Sequence, residues 1–112
     1  MPHLSKLCLS ETAIKDLSLL VIHSTSLIEL DLRDCKNLSS LPNAIYNLMS
    51  QKTLNLFGCS KLDELSENLG KIEVLDELDL SGTAITGIPS SVVHLKNLKL
   101  LSLSRCVGLS SN

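Results

Sequence analysis

Read for its apolar positions alone, the chain repeats itself. The spacing L-x-x-L-x-L recurs as Leu4-Leu7-Leu9, Leu27-Leu30-Leu32, Leu75-Leu78-Leu80 and Leu98-Leu101-Leu103, and once more with Gln51 in first place before Leu54 and Leu56. The last leucines of these groups stand at 9, 32, 56, 80 and 103, giving periods of 23, 24, 24 and 23 residues. Three residues further on come Thr12, Cys35, Cys59, Thr83 and Cys106, followed by Ile14, Leu38, Leu62, Ile85 and Leu109. Landmarks held in one register at such a period mark an array of stacked units.

The spacing has a physical meaning. In L-x-L both leucines point to one side of an extended chain and the residues around them to the other, so each unit supplies one short strand with a buried and an outward face. The remainder, as in Leu38-x-x-Leu41-Pro42-x-x-Ile45-x-x-Leu48, places apolar residues every three or four positions and returns the chain along the opposite side. Proline there favours an irregular or short 3₁₀ return over a long helix. The expected fold is therefore an α/β solenoid of about 4.5 units of 23–24 residues, with a parallel sheet on the concave face and irregular or short helical returns on the convex one. The units are 4–26, 27–50, 51–74, 75–97 and a partial 98–112. One unit cannot bury its apolar edge alone, so stability comes from stacking neighbours.

Thr12, Cys35, Cys59, Thr83 and Cys106 are read as structural turn positions, where a small side chain with a donor hydrogen packs inside and bonds a neighbouring backbone group. The units come in two kinds, since Thr12-Ala13-Ile14 and Thr83-Ala84-Ile85 are one residue shorter than Cys35-Lys36-Asn37-Leu38 and Cys59-Ser60-Lys61-Leu62. Cys8 falls between Leu7 and Leu9 and is expected to face solvent. Some positions depart from the pattern. Gln51 replaces a leucine, Ser24 replaces an apolar residue, and Ser18 and Ser66 stand where Pro42 and Pro89 do. A polar group buried without a partner costs roughly 1–3 kcal/mol.

Composition narrows the function. Leucine supplies 26 of the 112 residues, and Tyr46 and Phe57 are the only aromatics. Two aromatics and a net charge of −2 offer neither a stacking platform nor attraction for nucleic acid. The longest apolar run, Leu19-Leu20-Val21-Ile22, is far short of the roughly 20 residues of a membrane span, so no membrane partner is expected. The four cysteines are too far apart for a disulfide scaffold and form no C-x-x-C zinc pair, which suits reduced thiols inside a cell. His3, His23 and His94 build no metal motif, there is no G-x-S-x-G elbow, and Gly70-Lys71 lacks a phosphate-binding loop. Neither catalysis nor a cofactor or metal is expected. Asn37-Leu38-Ser39 is a glycosylation sequon that an intracellular protein leaves unused.

Strand alternation sends three columns outward: Lys6, Glu29, Thr53, Glu77 and Leu100; Cys8, Asp31, Asn55, Asp79 and Ser102; Ser10, Arg33, Phe57, Ser81 and Ser104. With strands about 4.8 Å apart, Glu29, Asp31, Glu77 and Asp79 form an acidic strip around Thr53 and Asn55, with Arg33 and Phe57 beside it. Aromatic and arginine side chains dominate interface energies. These eight residues are the candidate protein-binding face.

The units Leu54-Asn55-Leu56-Phe57-Gly58-Cys59-Ser60-Lys61-Leu62 and Ser81-Gly82-Thr83-Ala84-Ile85, with Ile88-Pro89-Ser90-Ser91-Val92 and Leu95-Lys96-Asn97-Leu98, resemble the leucine-rich repeats of plant intracellular disease-resistance receptors. The likeness is greatest to the branch with a Toll/interleukin-receptor-like domain and a nucleotide-binding domain, and it covers essentially the whole chain. It implies a module that senses a pathogen effector or holds the receptor inactive through its other domains, in the cytoplasm or nucleus. The ends, without polar caps, read as an internal slice of a longer array, with a low melting temperature or aggregation expected. An intracellular scaffold would instead carry Asn at the Cys/Thr position. An extracellular receptor or inhibitor would carry N-x-L-x-G-x-I-P units, of which Gly87-Ile88-Pro89 is a faint echo.

Overall fold

The computed structural model describes residues 6–11, 27–41, 43–46, 50–106 and 108. Five three-residue strands, β1 (Lys6–Cys8), β2 (Glu29–Asp31), β3 (Thr53–Asn55), β4 (Glu77–Asp79) and β5 (Leu100–Ser102), form one parallel sheet in sequence order. The register is the one the leucine spacing dictates: Lys6, Glu29, Thr53, Glu77 and Leu100 lie side by side, as do Leu7, Leu30, Leu54, Leu78 and Leu101. Leu30, Leu54 and Leu78 are fully buried. Pairing continues past the strands, with the Leu32 N–H donating to the Asn55 carbonyl and the Leu56 N–H to that of Asp79, both at 2.8 Å.

Three residues beyond the end of each strand the chain passes through the left-handed backbone region, at Glu11, Asp34, Gly58, Gly82 and Arg105, with φ between 60 and 77°. This turn swings the next residue inward, and it explains the glycine of the G-C and G-T pairs, because a Cβ is costly at such a φ. At the next position Cys35 and Cys59 donate their S–H to the carbonyls of Leu9 and Leu32 in the preceding unit, at 3.1 and 3.0 Å. Cys106 does the same to Leu80 at 2.9 Å. Thr83 is different, since its hydroxyl donates to Leu80 of its own unit at 2.8 Å. The one-residue-shorter turn lets the Ala84 N–H reach back to the Leu62 carbonyl at 2.8 Å. Thr12 lies outside the described residues, as do Ser18, His23 and Ser24.

The returns are short, as the proline-containing pattern predicts: a four-residue α-helix, α1 (Asn43–Tyr46), and two 3₁₀ turns, η1 (Glu67–Lys71) and η2 (Ser90–His94). Ser66, which replaces a proline, caps η1 by accepting from the Asn68 N–H at 3.0 Å. It also keeps a backbone N–H that proline would lack, and this donates to the buried Tyr46 hydroxyl at 3.3 Å. Glu67 ties η1 to η2 by accepting from the Ser90 and Ser91 N–H groups and the Ser90 hydroxyl at 3.0–3.2 Å. These bonds hold its carboxyl below the ordinary glutamate value, the Ser91 N–H contributing most. Between sheet and returns lies a single apolar cluster running from Leu27 to Cys106.

Two outward or inward expectations fail for physical reasons. Ser81, expected to face out, is buried because its hydroxyl bonds that of Ser102 at 2.7 Å and accepts from the Ser104 N–H. Leu101, on the inward column, is 37% exposed because β5 is the edge of the sheet and nothing covers its far side among the described residues. Gln51 is fully buried, and neither its Oε1 nor its Nε2 finds a partner among the described residues.

Candidate protein-recognition surface

The strand alternation brings Glu29, Asp31, Arg33, Thr53, Asn55, Phe57, Glu77 and Asp79 onto one face. Register sets Glu29, Thr53 and Glu77 in one row and Asp31, Asn55 and Asp79 in the next. The second row has a local structural task that the sequence reading missed. Asp31, Asn55 and Asp79 each accept a hydrogen bond from the backbone N–H two residues on, those of Arg33, Phe57 and Ser81, at 3.1, 3.0 and 2.9 Å. Asp and Asn favour such turns because the short side chain reaches its own backbone. The signal was present as an Asp or Asn three residues before the left-handed turn in three consecutive units.

The acidic strip is also partly neutralised. Arg33 folds back on Asp31, with Nε 3.0 and 3.1 Å from the two carboxylate oxygens and a terminal nitrogen 3.0 Å from Oδ2. Partial burial pushes the Asp31 carboxyl up, but the Arg33 side chain and backbone outweigh it, so the group stays below its ordinary value. Cys8, exposed as expected, donates weakly to Asp31 at 3.7 Å. Glu29 meets Lys6 at 3.5 Å in an exposed pair, of the kind that contributes little. Glu77 is exposed and makes no ion pair among the described residues.

Phe57 is 38% exposed next to this row. Its main chain is fixed on both sides, the N–H by Asn55 and the carbonyl by the Asp34 N–H at 2.7 Å. An aromatic held on a rigid strand end loses little freedom when a partner covers it. No group of His, Cys, Asp and Glu is arranged to hold a metal among the described residues. A shallow cleft of about 370 Å³, lined by Gly70, Lys71, Glu73, His94, Lys96 and Asn97, lies among the returns and shares no residue with this face. No helix of the described residues is long and apolar enough to cross a membrane.

Comparison with known proteins agrees with this architecture. A family model described as Leucine Rich Repeat matches residues 26–48. The disease resistance protein RPP2A of Arabidopsis thaliana is 34% identical over 88% of this chain, and the TMV resistance protein N of Nicotiana glutinosa is 39% identical over 70% of it. The chain spans only 7% of the length of each. Among solved structures, the leucine-rich repeat domain of the type III effector XopL superposes with a TM-score of 0.84 over 94% of this chain and 38% of that one. At 21% identity that likeness speaks to the fold alone.

Proposed function

The chain belongs to the leucine-rich repeat family and is similar along most of its length to plant disease resistance proteins, and from that premise we propose that it is a protein-recognition module of a plant immune receptor acting in the cytoplasm or nucleus. Its recognition face is the outward side of β2–β4, built from Glu29, Asp31, Arg33, Thr53, Asn55, Phe57, Glu77 and Asp79. Its partner is a pathogen effector or another domain of the same receptor. Phe57 carries the reading: an exposed aromatic on a rigid strand end, ringed by polar groups, has the composition of an interface anchor.

Asp31, Asn55 and Asp79 position the backbone, and Glu77 is the carboxylate left to meet a partner's cation. A photo-crosslinking residue in place of Phe57, in this chain carried within its full-length receptor and expressed in leaf tissue with and without challenge, tests the reading. A crosslink to an effector supports sensing, and one to the receptor's own domains before challenge supports autoinhibition. Wild-type signalling and partner binding in a Phe57→Ala, Glu77→Lys double variant would sink the recognition face.

A further inference from the structure

The returns carry a charged surface that the strand face does not use. The cleft of about 370 Å³ among them stays open because Gly70 stands where the neighbouring returns have Tyr46 and Val93. Backbones come close at this point. The Gly70 N–H donates to the Ser91 Oγ at 3.2 Å, and a Cβ on Gly70 would lie 2.7 Å from the Ser91 carbonyl oxygen. With no side chain there, the space beyond is lined by Lys71 and Glu73 at the end of η1 and by His94 and Lys96 at the end of η2. The Asn97 side-chain amide joins the two walls by donating to the Glu73 carbonyl at 3.1 Å.

Asn97 also lines a second cleft, of about 260 Å³, with Lys52, Asp76 and Lys99. Here the main chain sets the side chains in a row. The Asp76 N–H donates to the Lys52 carbonyl and the Lys99 N–H to that of Asp76, both at 2.8 Å. Lys52 and Lys99 therefore stand about two strand spacings (~10 Å) apart across Asp76. Every residue lining the two clefts is described. Their walls belong to units already stacked on one another, so units added along the axis lengthen the row and do not cover it.

Charge on this surface is uneven. The two clefts hold four of the chain's ten lysines and arginines but two of its twelve carboxylate side chains. Lys52, Lys71, Lys96 and Lys99 are all exposed, and none makes an ion pair among the described residues.

We propose that the joined clefts bind an extended acidic peptide segment of a partner protein. Four uncompensated ammonium groups attract anions, and the interposed Glu73 and Asp76 select among them. A compact polyanion such as phosphate brings several charged oxygens against those two carboxylates. An extended peptide spaces its side chains, alternate residues on one side lying about 7 Å apart. Its carboxylates then meet the lysines while its backbone N–H groups face Glu73 and Asp76. This surface shares no residue with the strand face and is tested apart from it.

Fluorescence anisotropy of a fluorescein-labelled peptide of alternating Glu and Gly, titrated with the 112-residue chain, tests the proposal, and far-UV circular dichroism establishes that each variant is folded. Weak binding that fades with added salt is expected, and none to the same peptide with Gln in place of Glu. Lys71→Glu and Lys96→Glu are each expected to weaken it by roughly three- to tenfold, because an attraction becomes a repulsion. Lys61→Glu, at an exposed lysine outside both clefts, is expected to weaken it far less. Should a reversal unfold the chain, Lys71→Gln and Lys96→Gln carry the same test at lower amplitude. Absence of binding to the acidic peptide overturns the proposal. So does equal weakening by Lys61→Glu, which marks unspecific attraction. Inorganic phosphate that displaces the peptide more strongly than sodium chloride at equal ionic strength also overturns it, because the clefts then take a compact anion.

Discussion

At position 51 an amide occupies a place that leucine holds in four other units, and the structure leaves both its polar atoms without partners among the described residues. Gln51→Leu is expected to raise stability by about 1–3 kcal/mol, the desolvation cost of an unsatisfied buried group, read as a higher urea midpoint at unchanged slope. Glycines divide by backbone. A Cβ on Gly58 would sit 2.1 Å from Asp34 Oδ1 at a φ of +77°, whereas one on Gly87 meets nothing within 4 Å. Gly58→Ala is expected to lower stability by 1 kcal/mol or more, and Gly87→Ala to leave it unchanged or raise it by about 0.4–1 kcal/mol. The same midpoint measurement checks both. Thiols divide by burial. Desolvation pushes Cys59 up to about 11, and Cys35, Cys59 and Cys106 are buried while Cys8 is exposed. A disulfide reagent at mildly alkaline pH should titrate one thiol quickly in the native chain and all four in denaturant; three fast thiols would contradict the buried hydrogen-bonded arrangement. At this scale the sequence showed which residues face outward, because alternation has a period of two. It did not show that Arg33 turns onto Asp31 or that Ser81 sinks against Ser102, since those depend on rotamers and on the next strand.

Among the strands and returns, position in the stack decides energy. Leu78 is fully buried between neighbours and Leu101 is not. Leu78→Ala is therefore expected to cost about 2–5 kcal/mol, and Leu101→Ala markedly less. Equal losses in chemical denaturation would mean that β5 is covered after all. The η1–η2 contact depends on the Glu67 carboxylate. Because its folded value is lowered from the ordinary 4.5, its contribution is complete above about that pH and is lost as the pH falls through the lowered value. Wild type should accordingly lose part of its stability in that acid window, and Glu67→Gln should lose less there; identical acid profiles would remove the staple from the account. The strands were legible because leucine spacing and register are one pattern. The staple was not, since Glu67 and Ser90 are 23 residues apart and meet only through stacking.

The molecule is a slab of 47 × 32 × 19 Å in which the sheet pairs only neighbouring units. Protection is therefore expected to follow a gradient. Backbone amides of β3 and β4 should exchange with solvent most slowly and those of β1 and β5 fastest, as hydrogen-exchange mass spectrometry would show. Uniform exchange across all five strands would contradict a one-dimensional stack. The overall architecture followed from a period of 23–24 residues, but the identity of a bound partner does not follow from a period. The two kinds of turn also govern how such a chain can be rearranged in its gene. The turn cysteines Cys35, Cys59 and Cys106 each donate to a carbonyl of the unit before, whereas Thr83 finds its acceptor within its own unit. A cysteine unit moved to the head of an array arrives with a donor and no acceptor, but a threonine unit suffers no such loss. Recombination that copies whole units, each with its own turn length, keeps these bonds intact, whereas a lone Thr-to-Cys exchange does not.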